Sequence, residues 1–322
     1  MIMKKGALVI SLDFELVWGI FDHIQLTDKF SYFNNTLLAI PQMLELFEKN
    51  SIHVTWATVG MLFNENWDEW YSNIPSLLPT YNNTNLNPYK YGKDHQKSNL
   101  DKFFFAPNLI KDIQSVSGQE LATHTYSHYY CLESGQSIDQ FDADIKQAVA
   151  MANKFDVSLN SLVFPRNQFN KEYLDVCSKY KIETVRNNPT DWYWDLTKPE
   201  TIVTKIARSG DAYLPFGKKS YSADSIEKAT VVCQSASRFL RPQNKIGLLN
   251  SVRLLRIKNE IIQAAKNGEV YHLWWHPHNF GIDTEGAIKA LKSILETYSK
   301  CNELYQMESL TMKQIRDNCL HV

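Results

Sequence analysis

The sequence predicts an α/β fold built on parallel strands, and three observations carry that expectation. First, compact apolar runs that suit strands buried on both faces, beginning with "GALVISLDF", alternate with amphipathic runs at helical spacing. Second, polar residues able to do chemistry sit at the C-terminal ends of several of those strands: Asp13 and Glu15, His124 and His128, Arg166, and His276. In a barrel, side chains at that rim converge on one site, whereas an open sheet gathers only those near a switch point. Third, neither G-x-G-x-x-G nor G-x-x-x-x-G-K-[ST] occurs, which counts against a nucleotide-binding open sheet. A barrel is the favoured architecture.

The elements follow in order. "GALVISLDF" is the first strand, centred on Val9 and Ile10, and "TLLAIPQMLELFEKN" a helix with Pro41 in its first turn. "IHVTWATVG" and "QELATHTYSH" are the second and third strands; after the helix "IDQFDADIKQAVAMANKF" come "SLVFPRNQF" and "KIETVRNNP" as the fourth and fifth. The helix "LLNSVRLLRIKNEIIQAAKNG" ends at Gly268, "VYHLWWHPHNFG" is a further strand, and "EGAIKALKSILETYSK" a closing amphipathic helix. Two stretches, at approximately 64–106 and 188–245, show no clear period and are expected as loop insertions, lids or binding loops, in one domain spanning 1–322. Six aromatic residues of the first stretch, Trp67, Trp70, Tyr71, Tyr81, Tyr89 and Tyr91, suit either stacking on sugar rings or the core of a lid.

With 322 residues and 44% hydrophobic content, the chain is long enough for a substantial core. Lys and Arg total 34 against 35 Asp and Glu, a formal net charge of -1, so nothing favours nucleic acid as a partner. The five cysteines are scattered and odd in number, which suits reduced thiols and a cytoplasmic location. Two lysines precede an apolar run near the N-terminus, but Asp13 cuts it short and no small-residue cleavage site follows. No apolar stretch reaches the roughly 18 residues that span a bilayer, so no transmembrane segment is expected. Oligomeric state is not legible.

The chemistry begins with "HTYSH". Neutral imidazoles four residues apart, where a strand rolls into a turn, can aim at one divalent ion; the competing reading is an exposed polar turn. Asp13 and Glu15 are two apart and share a face of the first strand, so one carboxylate suits a metal and the other a base. A solvated or salt-bridged pair is the alternative. Asp13, however, ends a run that reads as buried, and a carboxylate there needs a partner.

At these residues the sequence resembles the polysaccharide deacetylases of the NodB-homology type, carbohydrate esterase family four. "HTYSH" matches the family's H-[S/T]-x-x-H motif, and "SLDFEL" looks like the first motif of a branch carrying D-x-D or D-x-E. The resemblance runs from about residue 7 to about residue 300 in motif order and implies a distorted (β/α) barrel with inserted loops. It implies Asp13 as general base, and Glu15, His124 and His128 as ligands of one divalent ion, zinc foremost, with cobalt, nickel or iron open. Arg166, in the altered third motif "FPRNQF", would pair with Asp13 and hold it ionised. Backbone N–H groups near Phe169 would serve an oxyanion.

His276, in H-P form after "LWW", would be the general acid, with His278 the runner-up and His272 a packed core residue. Asp191 and Trp192 are candidates for the family's fourth motif, with an ordinary loop the competing reading. The implied activity is metal-dependent hydrolysis of an N-acyl group, acetyl foremost, by an activated water. The implied substrate is an N-acylated amino sugar, a sugar nucleotide or a lipid-linked glycan precursor in surface polysaccharide synthesis. Hydrolysis of a small cyclic or linear amide, and a catalytically inactive carbohydrate-binding protein of the same fold, are the alternatives.

Overall fold

The computed structural model describes residues 5–194, 201–214, 217–243 and 245–320. All eight residues of β1 (Ala7–Phe14) are buried, and strand alternation divides them between two environments. Leu8, Ile10, Leu12 and Phe14 join the main core under the helices. Ala7 and Val9 join a separate cluster with Ala57, Val163, Val232 and Val270, drawn from four other strands. That second cluster is the interior of a barrel, and Asp13 continues its face towards the C-terminal rim.

β2 (Val54–Thr58), β3 (Gln119–Thr123), β4 (Ser161–Val163), β5 (Thr184–Asn187), β6 (Val232–Ser235), β7 (Arg238–Phe239) and β8 (Val270–Trp275) complete the ring in the order β6-β5-β4-β3-β2-β1-β8-β7, with parallel pairing throughout. Only Ala236 and Ser237 separate β6 from β7, so one run of chain pairs with β5 by its first half and with β8 by its second. The sheet thereby curls round on itself into the expected distorted (β/α) barrel. β9 (Glu308–Leu310) pairs with Ala7–Val9, below the level at which β2 joins β1 at Ile10. The final helix places Met312 and Ile315 in the interior cluster, which closes the end of the barrel opposite the rim.

Around the ring pack α1 (Phe30–Lys49), α2 (Trp67–Ser72), α3 (Pro88–His95), α4 (Pro107–Ser115), α5 (Ile138–Asn153), α6 (Lys171–Lys179), α7 (Ile202–Gly210), α8 (Gly247–Asn267), α9 (Thr284–Tyr305) and α10 (Met312–Leu320). α1 begins earlier than its apolar spacing suggests, so Pro41 lies inside the helix rather than in its first turn. The added turns seat Phe33 in the core against Phe103. α5 opens on a capping box between Ser137 and Gln140. α8 stops at Gly268, whose φ of 67° is the left-handed cap that glycine adopts without cost.

Both stretches expected as loops contain regular structure. In the first, Asn66 and Asn87 cap α2 and α3 by accepting from backbone N–H groups. Trp67, Trp70, Tyr81 and Tyr89 are buried, and Trp70 stacks on Trp18 at 6.4 Å. These aromatics are core, not an exposed sugar platform. The second stretch supplies α7 and the strand run that closes the barrel. It is tied down by charge: Asp211 meets Lys219, Arg238 and Arg256, and Glu260 meets the same two arginines. Among the described residues, no helix is long and apolar enough to cross a membrane.

Candidate metal and acid–base site

The rim of the barrel gathers residues from β1, the turn after β3, β5 and the segment after β8. Glu15 Oε2 lies 3.2 Å from both His124 Nε2 and His128 Nε2, and the donor atoms of the three residues fall within 4.8 Å of one another. All three are buried, and among the described residues Glu15 Oε2 has no hydrogen-bond partner. Burying such an oxygen is costly unless a cation answers it. His124 Nδ1 sits 2.8 Å from the Val163 carbonyl; donation there leaves the Nε2 lone pair facing Glu15, the orientation a metal ligand needs. Burial pushes His128 below the usual histidine range, towards the neutral form that ligates. A carboxylate and two neutral imidazoles suit zinc or a similar divalent ion.

Local backbone shape makes this convergence. Leu16, Thr125 and His128 have φ of 45°, 64° and 57°, left-handed values that non-glycine residues adopt at a cost of about 1–3 kcal/mol each and that cluster at functional sites. The "HTYSH" turn is held from below by Asp144 of α5, whose carboxylate accepts from Tyr126 N at 2.6 Å, from Ser127 N at 3.2 Å and from the Ser127 hydroxyl. Burial raises the Asp144 carboxyl to about 6, and these hydrogen bonds work against the rise. Gly19 matters for its missing side chain. A Cβ there would stand 1.9 to 2.4 Å from the Glu15 carboxylate atoms, so glycine leaves the space the carboxylate fills.

Asp13 is gripped by two parallel hydrogen bonds, each 2.7 Å, from Arg186 Nη1 and Nη2. Burial pushes the Asp13 carboxyl up, but Arg186 outweighs it, and the group lies below the usual carboxylate range. Arg186 Nη1 also donates to Ser11 Oγ at 3.0 Å, which lies 2.8 Å from His272 Nε2. The guanidinium stacks over Trp274, 4.1 Å from the ring centroid. His272 is fully buried, and burial followed by the charge of Arg186 pushes it down to about 3, so it is a neutral core histidine. His276 Nε2 stands 3.7 Å from both Asp13 Oδ2 and Glu15 Oε1, with a quarter of its side chain exposed. His278 stacks on His276 at 4.9 Å but is buried, with Nδ1 3.6 Å from Glu15 Oε1.

The pairing expected of Arg166 is corrected. Its guanidinium bonds Asp22 at 2.7 Å and Glu133 at 2.8 Å, and lies 4.2 Å over the Tyr130 ring. It leaves the barrel after β4 on a turn where Arg166 and Asn167 have φ of 55° and 51°, which carries it outward to the rim. Arg186 takes Asp13 instead because it points into the barrel from β5. The signal was present in "ETVRNN": an arginine inside a strand that is otherwise buried demands an opposite charge across the interior. Asp191 pairs with Lys219 at 2.6 Å, Trp192 is largely exposed, and the Phe169 ring stacks on Phe164. None of these three lines the cavity above the site.

That cavity is about 330 Å³. Asp13, Glu15, both ligand-type histidines, His276 and Arg186 form its floor, while Arg166, Trp194 and Arg208 stand among its outer walls. Trp194 and Arg208 come from the second inserted stretch and carried no signal in the sequence.

The comparisons with known proteins agree with this geometry. A family model described as polysaccharide deacetylase matches residues 31–185, the stretch that carries His124 and His128. Asp13, Glu15, Arg186 and His276 lie outside it. No curated protein matches the sequence. Among solved structures, a Mycobacterium smegmatis protein assigned as a polysaccharide deacetylase is 12% identical, with a TM-score of 0.63 over 99% of this chain and 91% of that one. A Pseudomonas aeruginosa PAO1 protein with the same assignment is 10% identical, with a TM-score of 0.54 over 98% and 90%. Puue allantoinase is 11% identical, with a TM-score of 0.58 over 98% and 90%. The family model thus marks residues 31–185, with the histidine turn and its neighbouring strands, as similar to polysaccharide deacetylases, and the solved structures share the fold over nearly the whole chain.

Proposed function

We propose that the protein is a metal-dependent hydrolase that removes an N-acyl group, acetyl or formyl, from an amino sugar or glycan precursor. The observation that carries this reading is the Glu15, His124 and His128 triad, with its unpartnered carboxylate oxygen, set beside an aspartate gripped by arginine. Those three residues would hold the ion. Bound there, a divalent cation supplies Lewis acidity to the acyl carbonyl and acidifies the attacking water.

The chain's own residues divide the proton work. Asp13, kept ionised by Arg186, accepts the proton of the water as the C–O bond forms. His276, open to the cavity and 3.7 Å from Asp13, gives a proton to the nitrogen as the C–N bond breaks. The products are a free amine and a carboxylic acid. His276 is preferred to His278 because it is the one partly exposed to the cavity. Arg186, not Arg166, is the residue that orients the base.

A second enzymatic reading, hydrolysis of a small cyclic amide, is favoured by the size of the cavity, about 330 Å³, at the small end of ligand pockets. The fold is also shared with an allantoinase. One experiment addresses both. Metal content is measured in the wild type and in the His124→Ala, His128→Ala double variant, and each protein is assayed for acid release from N-acetyl and N-formyl amino sugars and for ring opening of allantoin. About one equivalent of metal in the wild type alone, with release of acetate or formate, supports the deacylase; ring opening alone supports the amidase. Metal without turnover, together with a melting temperature raised by added sugar, would leave a binding protein.

A further inference from the structure

Among the described residues, the apolar face of α7 is left uncovered. Ile202, Val203 and Ile206 are 78%, 63% and 66% exposed, and no residue of this helix is buried. The N-terminal half of α8 continues the pattern: Leu248 and Leu255 are 74% and 59% exposed, with Val252 on the same helical face between them. Tyr213 joins the two helices. It lines a groove of about 440 Å³ with Ile202 and Ile206 and another of about 560 Å³ with Val252 and Leu255. Exposed apolar side chains are ordinary when scattered; a contiguous patch on two helices marks a contact surface.

The charge around this patch names the partner. Residues 201–260 hold eleven Lys and Arg against four acids, Asp211, Asp224, Glu227 and Glu260, in a chain of net charge -1. Several of these cations are engaged in ion pairs, and Lys205 and Lys245 lie exposed beside the apolar residues. Arg256, with a side chain only 10% exposed, lines the larger groove and ends in an Nη1 that has no hydrogen-bond partner among the described residues. Apolar residues flanked by cations, on helices lying along a surface, is the pattern that binds the interface of an anionic bilayer. A second copy of the chain would set this cationic segment against itself.

We propose that the α7–α8 face docks the protein onto an anionic lipid surface. Arg208 of α7 lines the cavity of the candidate site, so docking sets the mouth of that cavity beside the headgroups, where a lipid-linked sugar would present its N-acyl group. The docking itself does not depend on the reaction, and its test has no turnover readout, so it fails or succeeds apart from the deacylase reading.

The test is cosedimentation of the full chain with phosphatidylcholine vesicles containing about one-third phosphatidylglycerol, against phosphatidylcholine alone. Binding to the anionic vesicles is expected to exceed that to neutral ones by about tenfold or more and to fall by a similar factor in 0.5 M salt. Ile202→Asp with Ile206→Asp should abolish it, Lys205→Glu should weaken it by about tenfold, and Leu38→Asp, equally exposed on α1, should leave it unchanged. Melting curves establish that each variant is folded. No sedimentation of the wild type, equal binding to neutral vesicles, or full binding by the Ile202, Ile206 variant overturns the proposal. So does a shift from dimer to monomer in that variant without vesicle binding by the wild type, which would make the face an interface between copies.

Discussion

On the floor of the cavity Asp13, Glu15, His124, His128 and Arg186 are each no more than 4% exposed, whereas on its rim the Arg166 side chain is 34% exposed. Both arginines bind carboxylates at 2.7 Å. The distances match, yet the energetics do not. A buried ion left without its partner costs several kcal/mol, so every charge on the floor has to be answered, and each one constrains the next. The rim arginine is partly screened by solvent, and its carboxylate partners keep other contacts, Asp22 with His23 Nε2 at 3.2 Å and Glu133 with Gln168 Nε2 at 3.4 Å. Floor residues are therefore expected to act as a unit and rim residues to adjust access one at a time.

The sharpest way to break that contrast is Arg186→Met. Asp13 would remain buried with burial as the dominant influence on it, and stability should fall by about 3–5 kcal/mol in denaturant unfolding. Turnover should fall by about 10²–10⁴, the range supplied by a positioned acid or base. The pH dependence has a definite sign. In the wild type the Asp13 carboxyl is lowered on folding, so its stabilising contribution is present above the ordinary carboxylate value and is lost as pH falls through the lowered folded one, below about 4. The acid limb of kcat/KM should lie equally low and move to higher pH in the variant. Unchanged stability together with an unmoved acid limb would remove Arg186 from its role.

Two smaller changes probe how the metal side of the floor is supported. Gly19→Ala would drive a methyl group into the Glu15 carboxylate, and metal affinity measured by competition with a chelator should fall on the order of 10–100-fold. Asp144→Asn touches no ligand directly. It replaces one carboxylate oxygen with an amide N–H facing the donors of Ser127, and should loosen the histidine turn enough to cost about tenfold in the same measurement. Equal losses in the two variants would mean that the turn, rather than the space beside Glu15, limits binding.

These supports also mark where the sequence was readable. Asp13, Glu15 and "HTYSH" stand out because each ends an apolar run, where a polar side chain is costly unless it is used. Arg186 obeys the same logic inside "ETVRNN", but strand order hides its partner. β1 and β5 are separated by three strands in the sheet, and only the curl of the barrel brings their side chains together. "VCQS" and "RF" gave no strand signal because they are short and polar; pairing with β5 and β8 makes them strands, and that information is non-local. The inserted aromatics read equally well as platform or core, since burial depends on what packs against them. Trp18, far back in the sequence, decides it.

Arg166→Ala should have the smallest effect on turnover and bears most directly on the contrast. Asp22 and Glu133 would lose a partner, and the Tyr130 ring a stacked cation. Because the Asp22 side chain is only 3% exposed, the expected loss of stability is about 1–3 kcal/mol, still below that of Arg186→Met. The left-handed backbone at residue 166 remains with alanine, so no strain is relieved to offset it. Because Asp13 keeps both hydrogen bonds from Arg186, kcat and the acid limb of the pH profile should stay within severalfold of wild type, and any change should appear in KM as altered access to the cavity. A loss in kcat comparable to that of Arg186→Met would mean that the rim moves in on the floor when substrate binds, and that the two arginines share the aspartate during turnover.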